Sequence, residues 1–202
     1  MATALAAAGV HVYALDVRGH GASGHKGHID FIGQLESDLQ MFVQAIKPPS
    51  PSTLIGFSSG GGFVLRMAAS EMQSSFDSYL LLSPFLSHRA PNYRPDSGGW
   101  VSVGVPRILA LTVLNGIGLR QWNDLPVTRF ALLDLQNAKG KVATLAGDAD
   151  EAFQTQELQG IVQSAGKDWP VQLLPGIGHI PLTLEPGALK AVVDTVMRLH
   201  YH

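Results

Sequence analysis

A chain of 202 residues, 46% hydrophobic and only 15% charged, is too apolar to stay disordered and long enough for one domain with a sizeable core. Its formal net charge of -2 offers no basic field to a phosphate backbone, which excludes nucleic acid as an expected partner. The chain has no cysteine, so a disulfide framework, a thiolate nucleophile and a Cys-ligated zinc site are excluded as well.

In chain order, Met1-Ala2-Thr3-Ala4-Leu5 lacks the positive flank of a signal peptide. The segment is therefore read as part of the fold and the protein as cytoplasmic. Residues 10–15 form a short β-branched and leucine-containing run that reads as a buried strand. Residues 30–46 then place Phe31, Leu35, Leu39, Phe42, Val43 and Ile46 at helical spacing, with Glu36, Asp38 and Gln40 between them. Beyond Lys47-Pro48-Pro49-Ser50-Pro51, a second strand is expected at 53–57, a helix after Ser58 and a third strand at 79–82.

Residues 88–140 break the alternation. They carry loop signals at Ala90-Pro91-Asn92 and Asp96-Ser97-Gly98-Gly99, then helix-like apolar patterns, and read as a cap inserted over one end of the sheet. The apolar stretch 101–119 is interrupted by Gly104, Pro106, Arg107, Asn115, Gly116 and Gly118, so no transmembrane segment is expected there. The alternation resumes with strands at 141–145 and 171–174 and helices at 151–164 and 187–199, the last entered through Pro186. Strands alternating with helices imply an α/β fold, a mostly parallel sheet with helices on both faces. The expectation is a single domain, 1–202, with the cap at 88–140 inside it.

Gly56-Phe57-Ser58-Ser59-Gly60 sits between the strand-like Thr53-Leu54-Ile55 and the helix-like run from Phe63 to Ala69. A serine at a sharp strand-to-helix turn has its hydroxyl held above the sheet edge, and small neighbours relieve the crowding of that turn. Such a hydroxyl is a poor nucleophile until a base takes its proton. His179 follows the last expected strand in Leu174-Pro175-Gly176-Ile177-Gly178-His179. Asp150 follows the strand before it in Ala146-Gly147-Asp148-Ala149-Asp150. Ser, Asp and His thus occur in the order and at the strand ends that a nucleophile, an acid and a base require. Asp148 and Glu151 compete with Asp150 for the acid role. Asp150 is preferred because the acid should lie a few residues beyond the strand.

Leu15-Asp16-Val17-Arg18-Gly19-His20-Gly21-Ala22-Ser23, the turn from Gly56 to Gly60, the Gly147 to Asp150 segment and Gly178-His179 together resemble the monoacylglycerol lipase and lysophospholipase branch of the α/β-hydrolases, which is serine aminopeptidase-like. The resemblance spans nearly the whole chain. It implies an α/β-hydrolase fold, with Ser58, Asp150 and His179 as catalytic triad and the backbone N–H of Ser59 as one oxyanion-hole donor. The cap would shape an acyl pocket, and its Trp100, Val101, Ile108, Leu109, Leu111, Leu114 and Leu119 favour an apolar acyl chain. The function expected is a serine esterase or lipase-like hydrolase acting on a small-molecule ester through an acyl-enzyme, with no cofactor and no metal. A non-catalytic binding protein on the same fold, or an acyltransferase using the same triad, are the alternatives.

His20, His25 and His28 with Asp30 fit no usual ligand spacing and read as a solvated loop. The chain departs from the resemblance at its start. Residues 4–9 look like the end of the family's first helix, the strands before it are missing, and the fold expected is an N-terminally truncated one. A gap would open between the 10–15 strand and the 53–57 strand, where the second oxyanion donor normally originates. The expectation is that these two strands close up and pair, bringing the Arg18-Gly19-His20-Gly21 loop towards the oxyanion position. Exposed edges in such a sheet favour self-association into homo-oligomers.

Overall fold

The computed structural model describes residues 1–24, 31, 33–86, 90–92 and 134–201. Among them, four parallel strands, β1 (Thr53–Phe57), β2 (Ser78–Leu82), β3 (Lys141–Gly147) and β4 (Val171–Leu174), lie in spatial order β1-β2-β3-β4. Helices α1 (Ala2–Ala7), α2 (Gln34–Ile46), α3 (Ser59–Ala69), α4 (Leu158–Ser164) and α5 (Pro186–Tyr201) accompany them, and residues 134–137 are helical as well.

The period of two along β2 builds the two sides of the core. Tyr79 and Leu81 point to a cluster with Leu39 of α2, Val64, Leu65 and Met67 of α3, Ile161 of α4 and Trp169. Leu80 and Leu82 point the other way, to Leu5 of α1 and to Ala188, Val192 and Val196 of α5. Every residue of β2 is buried, as expected of a central strand covered by helices on both faces.

Most boundaries agree with expectation, and the departures have local causes. Helix α2 starts at Gln34 rather than residue 30, just after Gly33 at φ 90. The helix expected over 151–164 begins only at Leu158, behind a 3-10 turn over Thr155–Glu157. Residues 151–153 are instead drawn into a turn in which the N–H groups of Ala152 and Phe153 donate to Asp150 Oδ1, at 2.8 and 2.9 Å. Bonds to the second and third residues ahead are those of an Asx turn or a helix N-cap, and here no α-helix follows until Leu158. The body of the cap expected over 88–140 lies outside the described residues.

The main correction concerns residues 10–15. They form no strand and no ladder with β1. A ladder requires backbones about 4.8 Å apart, whereas this segment is attached through its side chains. Val10 and Val12 pack on the α5 side of the core, while Tyr13 stacks on His11 and meets Phe42 of α2 edge-on. The run alternates as a strand would, yet among the described residues β1 remains an outer strand, and it is only half-buried along its length.

Candidate active site

Sequence places Ser58 between β1 and α3, and the backbone there is forced. Ser58 adopts φ 55 and ψ -117, in positive-φ space that a residue with a side chain occupies only when its surroundings hold it there. Its N–H donates to the Leu82 carbonyl at 2.9 Å, and its carbonyl accepts from Gly62 at 3.2 Å and from Phe85 at 2.8 Å. Gly56 makes the turn feasible, because a Cβ at that position would collide with the carbonyl of Gly60. Gly60 is different. A Cβ there would meet nothing within 4 Å, so the second glycine of the motif is not required by crowding.

The three residues proposed from order alone are brought into one line. His179 Nε2 lies 3.1 Å from Ser58 Oγ, and His179 Nδ1 lies 2.8 Å from Asp150 Oδ2. Asp150 is 1% exposed and His179 4%, so the contact between them is shielded from water, whereas the contact with Ser58 is only partly buried. Burial pushes the Asp150 carboxyl up. The hydrogen bond and attraction of His179, joined by the Phe153 N–H, outweigh that burial and hold it below the usual carboxylate range. An ionised carboxylate can only accept, so Nδ1 carries the proton and the Nε2 lone pair faces the serine hydroxyl.

Asp148 and Glu151 make no hydrogen bond to the imidazole. Asp148 Oδ1 accepts from the N–H of Gly176, and Glu151 Oε2 accepts from the backbone N–H of His179. Ser59 opens α3, where a backbone N–H has no acceptor within the helix and points out of its first turn. The Arg18 to Gly21 loop is tied elsewhere. Its Arg18 forks onto Asp38 of α2 at 2.6 and 2.8 Å, and the other hydrogen bonds described for it run within the loop. With α2 and Phe63 it borders a cavity of about 270 Å³.

Two aromatic rings missed by the sequence reading frame the histidine. Phe57 lies 4.6 Å and Phe153 5.2 Å from the His179 ring, centroid to centroid. Phe57 stands inside the Gly-x-Ser motif and could have been noticed there, whereas Phe153 carries no comparable sequence signal. The apolar cap residues from Trp100 to Leu119, and His25, His28 and Asp30, lie outside the described residues. Among those described, no group of three or more His, Asp or Glu could hold a metal ion, and no helix is long and apolar enough to cross a membrane.

Comparison with solved structures relates this arrangement to known folds. The structure of the Paleococcus ferrophilus monoacylglycerol lipase superposes with a TM-score of 0.66 at 18% identity, covering 96% of this chain and 86% of that one. A membrane phospholipase A gives 0.61 at 16% identity, with coverage of 92% and 69%. An E-2-(acetamidomethylene)succinate hydrolase gives 0.60 at 14% identity, with coverage of 89% and 79%. The chain is thus shorter than each of these neighbours. Comparison with curated protein sequences gave no match. The family model described as serine aminopeptidase, S33, matches residues 1–120, more than half of the sequence. With its parallel sheet and its likeness in fold to these hydrolases, the chain belongs to the serine aminopeptidase S33 family of the α/β-hydrolase superfamily.

Proposed function

We propose that this protein is a serine hydrolase that cleaves carboxylic esters with an apolar acyl group. The observation that carries the reading is the line from Ser58 Oγ through His179 to Asp150, at 3.1 and 2.8 Å. Nucleophile, base and orienting acid each come from the C-terminal end of a different strand.

In this mechanism Ser58 Oγ attacks the ester carbonyl while His179 Nε2 takes the hydroxyl proton. The resulting imidazolium is stabilised by the ionised Asp150, and the Ser59 N–H stabilises the oxyanion. His179 then returns the proton to the departing alkoxide, which leaves an acyl-enzyme. Water, deprotonated by the same histidine, attacks the acyl carbon and restores the Ser58 hydroxyl. The apolar character of residues 100–119 supports a hydrocarbon acyl chain rather than a sugar or peptide. The likeness in fold to a monoacylglycerol lipase and a phospholipase A agrees with that class of substrate.

The test is hydrolysis of p-nitrophenyl esters of graded chain length by wild type and Ser58→Ala. Turnover that peaks at a medium or long chain and falls at least about 10³-fold in the variant is expected. Equal rates in both proteins would remove Ser58 from the chemistry.

A further inference from the structure

Three carboxylates follow β3 within four residues, and the mechanism uses only Asp150. The other two are directed at the same loop. Asp148 Oδ1 accepts from the Gly176 N–H at 2.6 Å, and Glu151 Oε2 from the His179 N–H at 2.9 Å. Both N–H groups belong to the stretch between the end of β4 and the histidine that faces Ser58. Two main-chain bonds join the same partners: the Asp148 N–H donates to the Leu174 carbonyl at 3.0 Å and the Ala149 N–H to the Ile177 carbonyl at 3.1 Å. The loops are packed so closely at Gly147 that a Cβ there would strike the carbonyl of Ile177.

The acidic turn is in turn fixed from its other side. Thr155 Oγ1 donates to the Gly147 carbonyl at 2.6 Å and Gln156 Nε2 to the Asp148 carbonyl at 2.7 Å. Strand β3 and the 3-10 turn over Thr155–Glu157 therefore form a base from which the three carboxylates reach across. Asp150 meets the imidazole, Glu151 meets the main chain of the same residue, and Asp148 meets the loop three residues earlier.

We propose that Asp148 and Glu151 are positioning residues for His179, a pair of carboxylates that hold its loop so that the ring stays between Asp150 and Ser58. The proposal rests on the serine-hydrolase reading for its effect on turnover, but not for the contacts themselves. A carboxylate accepting from a backbone N–H makes a charge-assisted bond. The catalytic consequence follows because a base displaced by as little as about 1 Å can cost a large part of the rate. Glu151 is the more sensitive of the two, since it grips the residue that carries the base.

The experiment compares Glu151→Ala, Glu151→Gln, Asp148→Ala and Asp148→Asn with wild type by ester hydrolysis and by amide hydrogen exchange resolved at Gly176 and His179. The alanine variants are expected to lose about 5- to 50-fold in kcat with KM within about twofold of wild type. Exchange at the freed amide should quicken, while the melting temperature stays close to that of wild type. Glu151→Gln and Asp148→Asn keep an accepting oxygen and should recover most of the loss. Unchanged exchange in the alanine variants overturns the proposal whatever their activity, and so does a kcat loss that follows the melting temperature and is not rescued. If exchange responds as expected but Ser58 is inert towards a fluorophosphonate probe, the loop contacts stand and the hydrolase reading fails. If Ser58 reacts in wild type and Glu151→Ala turns over normally, the hydrolase reading stands and the positioning role of Glu151 fails.

Discussion

The loops that follow β3 and β4 and the edge at β1 are built to different standards. At the β3–β4 end, Asp150 and His179 are nearly inaccessible, and the loops bearing them are joined through side chain and main chain alike. At the β1 end, the strand is half-buried with no neighbour on its outer side among the described residues. The flanking segment leaves Tyr13, Leu15 and Val17 at 42%, 43% and 40% exposure. Ser58 belongs to both regions. Its strand is β1, but its backbone is locked by Leu82 at the end of β2 and by Phe85. The orientation of the nucleophile therefore depends on the buried middle of the sheet rather than on the open edge.

The largest effect should come from the buried acid. Asp150→Asn replaces the accepting oxygen that selects the Nδ1–H tautomer, and kcat for ester hydrolysis is expected to fall about 10⁴-fold with the overall fold retained. The same change tests linkage. The folded pKa of Asp150 lies below the ordinary value of 3.8, so the unfolded chain takes up the proton more readily. The stability Asp150 contributes is therefore present above that value and lost as pH falls through the depressed pKa. Thermal melts between pH 6 and 3 should show a shallower acid decline in Asp150→Asn than in wild type. An unchanged decline would mean that folding does not lower the pKa of Asp150.

Core substitutions sharpen the contrast between centre and edge. Leu82 is fully buried and Ile55 only half-buried. In urea unfolding, Leu82→Ala should cost about 3 to 5 kcal/mol and Ile55→Ala about 1 to 2 kcal/mol. Equal costs would show that the edge is as well packed as the centre. The smallest effect belongs to the edge itself. A strand edge with no partner among the described residues, beside exposed apolar side chains, promotes association between copies, which we propose for this protein. Leu15→Lys should reduce concentration-dependent association in sedimentation velocity without changing turnover per chain. Wild type that stays monomeric at all concentrations would refute it.

Much of the site could be read from order and spacing. Gly-x-Ser-x-Gly after a strand, an aspartate beyond the next-to-last strand and a histidine beyond the last are local patterns, and β3 and β4 deliver the last two to the same end of the sheet. Spacing does not separate Asp148, Asp150 and Glu151, because all three lie in one turn and only three-dimensional geometry decides which carboxylate faces the ring. The division of labour between them leaves no periodic trace. The unpaired state of residues 10–15 was also illegible. Val10, Val12 and Leu15 satisfy a strand pattern, but a strand is completed by a hydrogen-bonded neighbour, and a one-dimensional pattern does not report whether that neighbour is within reach. The apparent need for glycine at position 60 failed for a similar reason, since crowding depends on what stands opposite the Cα.

The most direct measurement is covalent labelling with a fluorophosphonate, read by intact mass and peptide mapping in wild type, Ser58→Ala and His179→Ala. A single adduct on Ser58 in wild type, absent from Ser58→Ala and slowed by at least about 10³-fold in His179→Ala, is the expected result. A folded wild-type protein that takes up no probe, or an adduct that persists in Ser58→Ala, would contradict the assignment of Ser58 as an activated nucleophile.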